Sequence, residues 1–142
     1  MLVEDNPGDI LLFKRAFNEF DERVEVRVFG SGPEAANEIR SFSKISPIHF
    51  PDLILLDISL PKVSGFDLLK ELKASKLTRH IPVIMFTSSD AESDVQTALA
   101  MHANSYLLKP ATFEEMLAIV FKLGEFWLQT AYLRIHAGEE SF

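Results

Sequence analysis

Cysteine is absent from the chain, which excludes a disulfide framework, a thiolate nucleophile and a cysteine-ligated zinc, and suits a cytoplasmic protein. Positive charge is scarce: 14 Lys and Arg stand against 21 Asp and Glu, a formal charge of −7. Broad contact with phosphate backbones calls for a basic surface, so no nucleic acid partner is expected. Long uninterrupted apolar runs are missing too. Nothing near Met1 has the basic-then-apolar order of a signal segment, and the most apolar late stretch, Met116 to Leu133, is broken by Lys122, Glu125 and Gln129. Neither a targeting segment nor a membrane span is expected. The four histidines are scattered rather than clustered as metal ligands, and there is no internal repeat or low-complexity tract.

What is present is enough apolar material, 47% of 142 residues, for one compact domain with a real core. Short β-rich runs alternate with stretches of helical spacing, the signature of a parallel sheet covered by helices. The first run, Met1-Leu2-Val3, ends at Glu4-Asp5. Asn6 then caps a helix that carries Pro7 in its first turn and Ile10, Phe13, Phe17 and Phe20 on one face. In "VEVRVF", Val24 to Phe29, apolar and charged residues alternate strictly, which predicts an edge strand. A helix follows from Ser31-Gly32-Pro33 to about Arg40, and then "SFSKISPIHFP", with no clear period, reads as a surface loop.

The third strand is Leu53 to Leu56, ending on Asp57; Phe66, Leu69 and Leu72 mark the helix after Gly65. "IPVIMF", Ile81 to Phe86, is continuous enough for a central strand and ends at Thr87, with a helix from about Ala91 to Met101 behind it. The fifth round is "SYLLKP", Ser105 to Pro110, then a helix from Thr112 running past Tyr132 and a frayed tail, "HAGEESF". The expectation is a three-layer α/β/α fold with a five-stranded parallel sheet in the order 2-1-3-4-5. Residues 1–128 would form the domain, and 129–142 a helical extension and tail.

In such a sheet ligands bind outside the carboxyl ends of the strands, where strand order reverses, between strands one and three. Glu4, Asp5 and Asp57 end those two strands. Two carboxylates about 4 Å apart repel by about 4 kcal/mol at an effective dielectric near 20, so three of them in one crevice call for a cation. All-oxygen donors point to Mg²⁺, with Mn²⁺ as the second candidate, and a hard ion among carboxylates is the usual partner of a phosphoryl group. Thr87 and Lys109 end the fourth and fifth strands and are placed to hold phosphoryl oxygens.

At these residues the chain resembles the receiver domains of two-component response regulators. "LVEDN", "LILLDISLP", "FTSS" and "YLLKP" match that family's blocks in order and spacing. The resemblance implies the flavodoxin-like fold and a phosphoryl group accepted on Asp57 from a histidine of a sensor kinase. By the same carry-over, Asp5, Asp57 and the Ser59 carbonyl would ligate Mg²⁺, with Glu4 acting through water. Lys109, Thr87 and Ser88 would bind the phosphoryl group, Thr87 and Tyr106 would move as a switch, and the Lys109-Pro110 bond would be cis. The look-alikes are single-domain regulators that serve bacterial and cyanobacterial phytochromes: they share the "VEDNPGD" opening, the long loop before the third strand, and a "FWL" segment like Phe126 to Leu128.

Four departures from the family stand out. The first strand begins almost at Met1. His102 replaces a glycine that often ends the fourth helix, and Ser59 and Ser89 fill the two positions that tune acyl phosphate hydrolysis. No stretch remains for an output domain, so output is expected through protein contact. Kinase docking is expected at Leu11, Lys14 and Arg15. The last helix is apolar over more than half its circumference, which suggests a homodimer through Met116, Ile119, Leu123, Phe126 and Trp127 together with the C-terminal extension. Two rivals are a receiver-like binding module that is never phosphorylated and a phosphohydrolase with an aspartate nucleophile. The second normally carries another acid two residues on, where this chain has Ser59.

Overall fold

The computed structural model describes residues 1–129. Five parallel strands, β1 (Leu2–Val3), β2 (Val28–Phe29), β3 (Ile54–Leu56), β4 (Val83–Thr87) and β5 (Ser105–Leu108), form one sheet in the order β2-β1-β3-β4-β5. The helices are α1 (Pro7–Phe20), α2 (Gly32–Ser41), α3 (Gly65–Ala74), α4 (Glu92–Ala100) and α5 (Phe113–Leu123). No helix among the described residues is long and apolar enough to cross a membrane.

Alternation along the strands sorts side chains into two cores. Val3, Ile54, Leu56, Val83 and Met85 face α2 and α3, packing on Ala35, Ile39, Leu68, Leu69 and Leu72. Leu2, Leu53, Leu55, Ile84 and Phe86 face α1 and α5, packing on Phe13, Phe17, Met116, Val120 and Leu123. Burial on both faces is why β3 and β4 read as unbroken apolar runs.

Helix starts follow local chemistry. Asn6, Ser31 and Thr112 accept the N3 backbone N–H of α1, α2 and α5, and Ser64 forms a reciprocal capping box with Asp67. Gly65 is required by close approach, because a Cβ there would collide with the Asp57 carbonyl. His102 sits at φ 69°, in the left-handed region anticipated for it.

Three expectations need correction. The edge strand is only Val28–Phe29 rather than Val24 to Phe29, because a ladder needs a partner and β1, which pairs Leu2 with Val28, extends no further back. The segment read as a surface loop contains a core anchor: Phe42 is 1% exposed and packs on Phe50 with ring centroids 5.0 Å apart. The last helix does not stay α-helical beyond Leu123; Gly124–Gln129 widens into a π turn, with Gly124 seated so closely on the Phe20 ring that a Cβ there would push the ring aside. The predicted stretch past Gln129 and the tail lie outside the described residues.

Candidate functional site

The sheet ladder brings the strand-end residues together. The Asp57 N–H donates to the Val3 carbonyl at 3.1 Å, and the Lys109 N–H donates to the Thr87 carbonyl at 2.8 Å. The first bond sets Asp57 beside Glu4 and Asp5; the second sets Lys109 beside Thr87. Glu4 is 1% exposed, Asp57 6% and Thr87 1%, whereas Asp5 is open to solvent. One carboxylate oxygen from each of Glu4, Asp5 and Asp57 lies within 4.8 Å of the others.

Lys109 reaches into the middle of these acids. Its Nζ lies 2.6 Å from Glu4 Oε2, 2.8 Å from Asp57 Oδ2 and 3.0 Å from Asp9 Oδ2. Burial by itself would lower the ammonium pKa, but the hydrogen bonds to Asp57, Glu4 and Asp9 outweigh it and hold it above the ordinary lysine value. Glu4 is shifted upward, chiefly by burial; the Lys109 and Asn6 hydrogen bonds oppose the shift and the Asp57 charge adds to it. The second Asp57 oxygen, Oδ1, accepts the Ser59 N–H at 3.3 Å, its one hydrogen bond among the described residues.

Four carboxylates, those of Glu4, Asp5, Asp9 and Asp57, thus face one ammonium, leaving a local charge of 1 − 4 = −3. The donor set is hard oxygen and negatively charged, which fits a divalent cation of the Mg²⁺ or Mn²⁺ kind.

Asp9 was missed from sequence. It stands at the third position of α1, where Asn6 accepts its N–H, and reads there as an ordinary first-turn acid. The only signal was that its carboxylate is one turn from the cap at the same sheet end.

On the other rim, Thr87 Oγ1 accepts the Ser89 N–H at 3.3 Å and Ser88 is exposed on the turn. The half-buried Tyr106 donates its hydroxyl to the Ser89 carbonyl at 2.8 Å. The Lys109-Pro110 bond is trans, correcting the cis expectation. Lys109 reaches all three carboxylates in the trans form, which X-Pro bonds favour by about 0.5–1 kcal/mol.

Away from the crevice, Leu11 is 68% exposed on α1, with exposed Lys14 and Arg15 nearby; the Arg15 guanidinium lies over the Phe113 ring at 4.5 Å. The residues named for a dimer divide. Met116 and Leu123 are buried against the chain's own sheet, Ile119 and Trp127 pack partly on the same core, and Phe126 is 62% exposed. The wide apolar arc of α5 is largely spent on α1 and the sheet, so Met116 and Leu123 are core residues rather than interface residues.

Residues 1–121 match the response regulator receiver domain family. The chain is 35% identical over 128 residues to the probable methanogenesis regulatory protein FilR2 of Methanothrix harundinacea, covering 90% of this chain and 82% of that one. It is 31% identical over 133 residues to the response regulator Rcp1 of Synechocystis, covering 94% and 90%. A crystal structure of Rcp1 in a Mn²⁺-bound form superposes with a TM-score of 0.76 at 29% identity, covering 91% and 93%. The phosphorylated cyanobacterial phytochrome response regulator RcpA superposes with a TM-score of 0.82 at 36% identity, covering 91% of this chain and 92% of that one. With the five-stranded order, the acid crevice and the strand-end lysine in place, the chain belongs to the response regulator receiver family.

Proposed function

We propose that the protein is a phosphoacceptor switch in which Asp57 takes a phosphoryl group from a histidine of a sensor kinase. The observation that carries this reading is the Asp57 carboxylate at the sheet end, with Oδ1 accepting the Ser59 N–H at 3.3 Å and Oδ2 held by Lys109 at 2.8 Å inside a cluster of acids. An Asp57 oxygen forms a bond to phosphorus as the phosphorus–nitrogen bond of the phosphohistidine breaks. The electron pair leaves with the imidazole nitrogen, and an acyl phosphate remains on Asp57.

Glu4, Asp5, Asp57 and the Ser59 carbonyl would hold the divalent cation, Mg²⁺ before Mn²⁺, which when bound neutralises charge on the transferring phosphoryl group. Lys109 sits close enough to exchange its Asp57 bond for a phosphoryl oxygen, and Thr87 and Ser88 line the opposite rim. Exposure of the chain to acetyl phosphate with Mg²⁺ is expected to add the mass of one phosphoryl group, labile to acid and to hydroxylamine as acyl phosphates are. The gain is expected to vanish in Asp57→Asn and in excess chelator. No gain in the unaltered chain would leave the non-phosphorylated binding module as the better reading.

That RcpA is a phytochrome response regulator supports a histidine kinase of the phytochrome class as donor. We read the pathway as cytoplasmic, with output through protein contact rather than nucleic acid. The exposed Leu11, with Lys14 and Arg15, is the surface assigned to the kinase. Leu11→Asp is expected to slow phosphotransfer from the kinase at least tenfold while leaving acetyl phosphate labelling intact; equal rates from the kinase would remove this surface from the account. We further assign residues 1–128 to the receiver unit and 129–142 to an extension that, with Phe126, pairs two copies.

A further inference from the structure

Ser89 lies two residues past Thr87, and each of its polar groups engages a different part of the switch region. Its N–H donates to Thr87 Oγ1 at 3.3 Å, its carbonyl accepts the Tyr106 hydroxyl at 2.8 Å, and its own hydroxyl donates to Asp94 Oδ2 at 2.6 Å. Asp94 is on the first turn of α4 and is half-buried, unlike the neighbouring exposed Asp90 and Glu92. The residue before the helix, Ala91, has no side-chain group to cap it; the Ser89 hydroxyl accepts the Ala91 N–H at 3.4 Å.

These bonds make Ser89 the joint between the phosphoryl-sensing hydroxyl and the rest of the sheet end. Any movement of Thr87 toward a phosphoryl group on Asp57 must stretch or break its bond to the Ser89 N–H. Tyr106 is held by the same residue through its carbonyl. Ser89 cannot follow either of them without parting from Asp94, because α4 is anchored by Ala98 in the core.

We propose that Asp94 is a positioning residue for the switch: by holding the Ser89 hydroxyl it keeps the Thr87–Ser89 turn and the Tyr106 ring in this arrangement, and so sets how readily phosphorylation shifts them. The proposal rests on the phosphoacceptor reading for its consequence, though the latch itself exists without it. A plain helix cap would use the same Ser89–Asp94 bond, but its influence would stop at the first turn of α4. A latch reaches Thr87 and Tyr106.

The test compares the full chain with Asp94→Ala, Asp94→Asn, Ser89→Ala and the double variant Ser89→Ala/Asp94→Ala by NMR, without metal or phosphoryl analogue. Asp94→Ala and Ser89→Ala are each expected to speed amide exchange at Ser88 to Ala91 on the order of tenfold, as loss of a hydrogen bond to a charged group implies. Both should shift the Thr87 methyl and Tyr106 ring signals in the same direction, and the double variant should go no further. Asp94→Asn, which keeps an acceptor oxygen, should stay near the unaltered chain. In the presence of Mg²⁺, beryllofluoride, a mimic of the phosphoryl group, should saturate Asp94→Ala at a concentration lower by a similar factor. Changes confined to Ala91–Asp94, additive effects of the two single variants, or an unchanged saturation point in Asp94→Ala would overturn the proposal. An unaltered chain that ignores beryllofluoride would instead sink the phosphoacceptor reading, while the exchange comparison would still decide the latch.

Discussion

Lys109 shows what a single side chain does in this protein. Its side chain is 10% exposed and it neutralises part of a group of acids that would otherwise repel at the end of the sheet. Removing one partner of a buried ion pair costs about 3–5 kcal/mol, because the other charge stays buried and unpaired. Lys109→Met is therefore expected to lower the urea midpoint by an amount corresponding to a few kcal/mol. Millimolar Mg²⁺ should recover part of the loss, since a cation that binds only the folded state stabilises it; a midpoint unmoved by the substitution would contradict the charge balance described above. The site residues were legible in sequence because each ends a strand, and strand ends of a parallel sheet converge. Asp9 was not legible, since its helix position gives a complete local explanation and its contact with Lys109 spans 100 residues.

At the scale of elements, the readable features were those with a local cause. Caps at Asn6, Ser31, Ser64 and Thr112 and the apolar runs of β3 and β4 mark their elements directly. His102 is the clearest case of a local conflict: it ends α4 with φ 69°, a conformation that costs an L-residue about 1–2 kcal/mol and glycine almost nothing. Against the extra freedom glycine gains when unfolded, His102→Gly is expected to stabilise by about 0.5–1 kcal/mol in urea unfolding. Destabilisation would mean that the imidazole makes a compensating contact. The shortened β2 and the buried Phe42 were not readable, because both depend on partners distant in sequence: the reach of β1 in one case, the floor beneath the loop in the other.

For the whole molecule, the open question is association. Most of the apolar arc of α5 is occupied within one chain, by α1 and the sheet, while Phe126, just past the end of α5, stays 62% exposed. Sedimentation across a range of micromolar concentrations is expected to show a monomer–dimer equilibrium that Phe126→Asp shifts to monomer by at least tenfold in dissociation constant. A monomer at every concentration would reject the pairing. The sequence by itself determined the layer order, the strand ends and the identity of the acid, hydroxyl and lysine groups there, because alternating periodicity and cap chemistry act over a few residues. Only the tertiary structure decided that Asp9 completes the lysine's cage, that Ser89 joins Thr87, Tyr106 and Asp94, and that Met116 and Leu123 serve the core. Those outcomes rest on which distant surfaces meet and on how much of an apolar face the chain's own packing consumes.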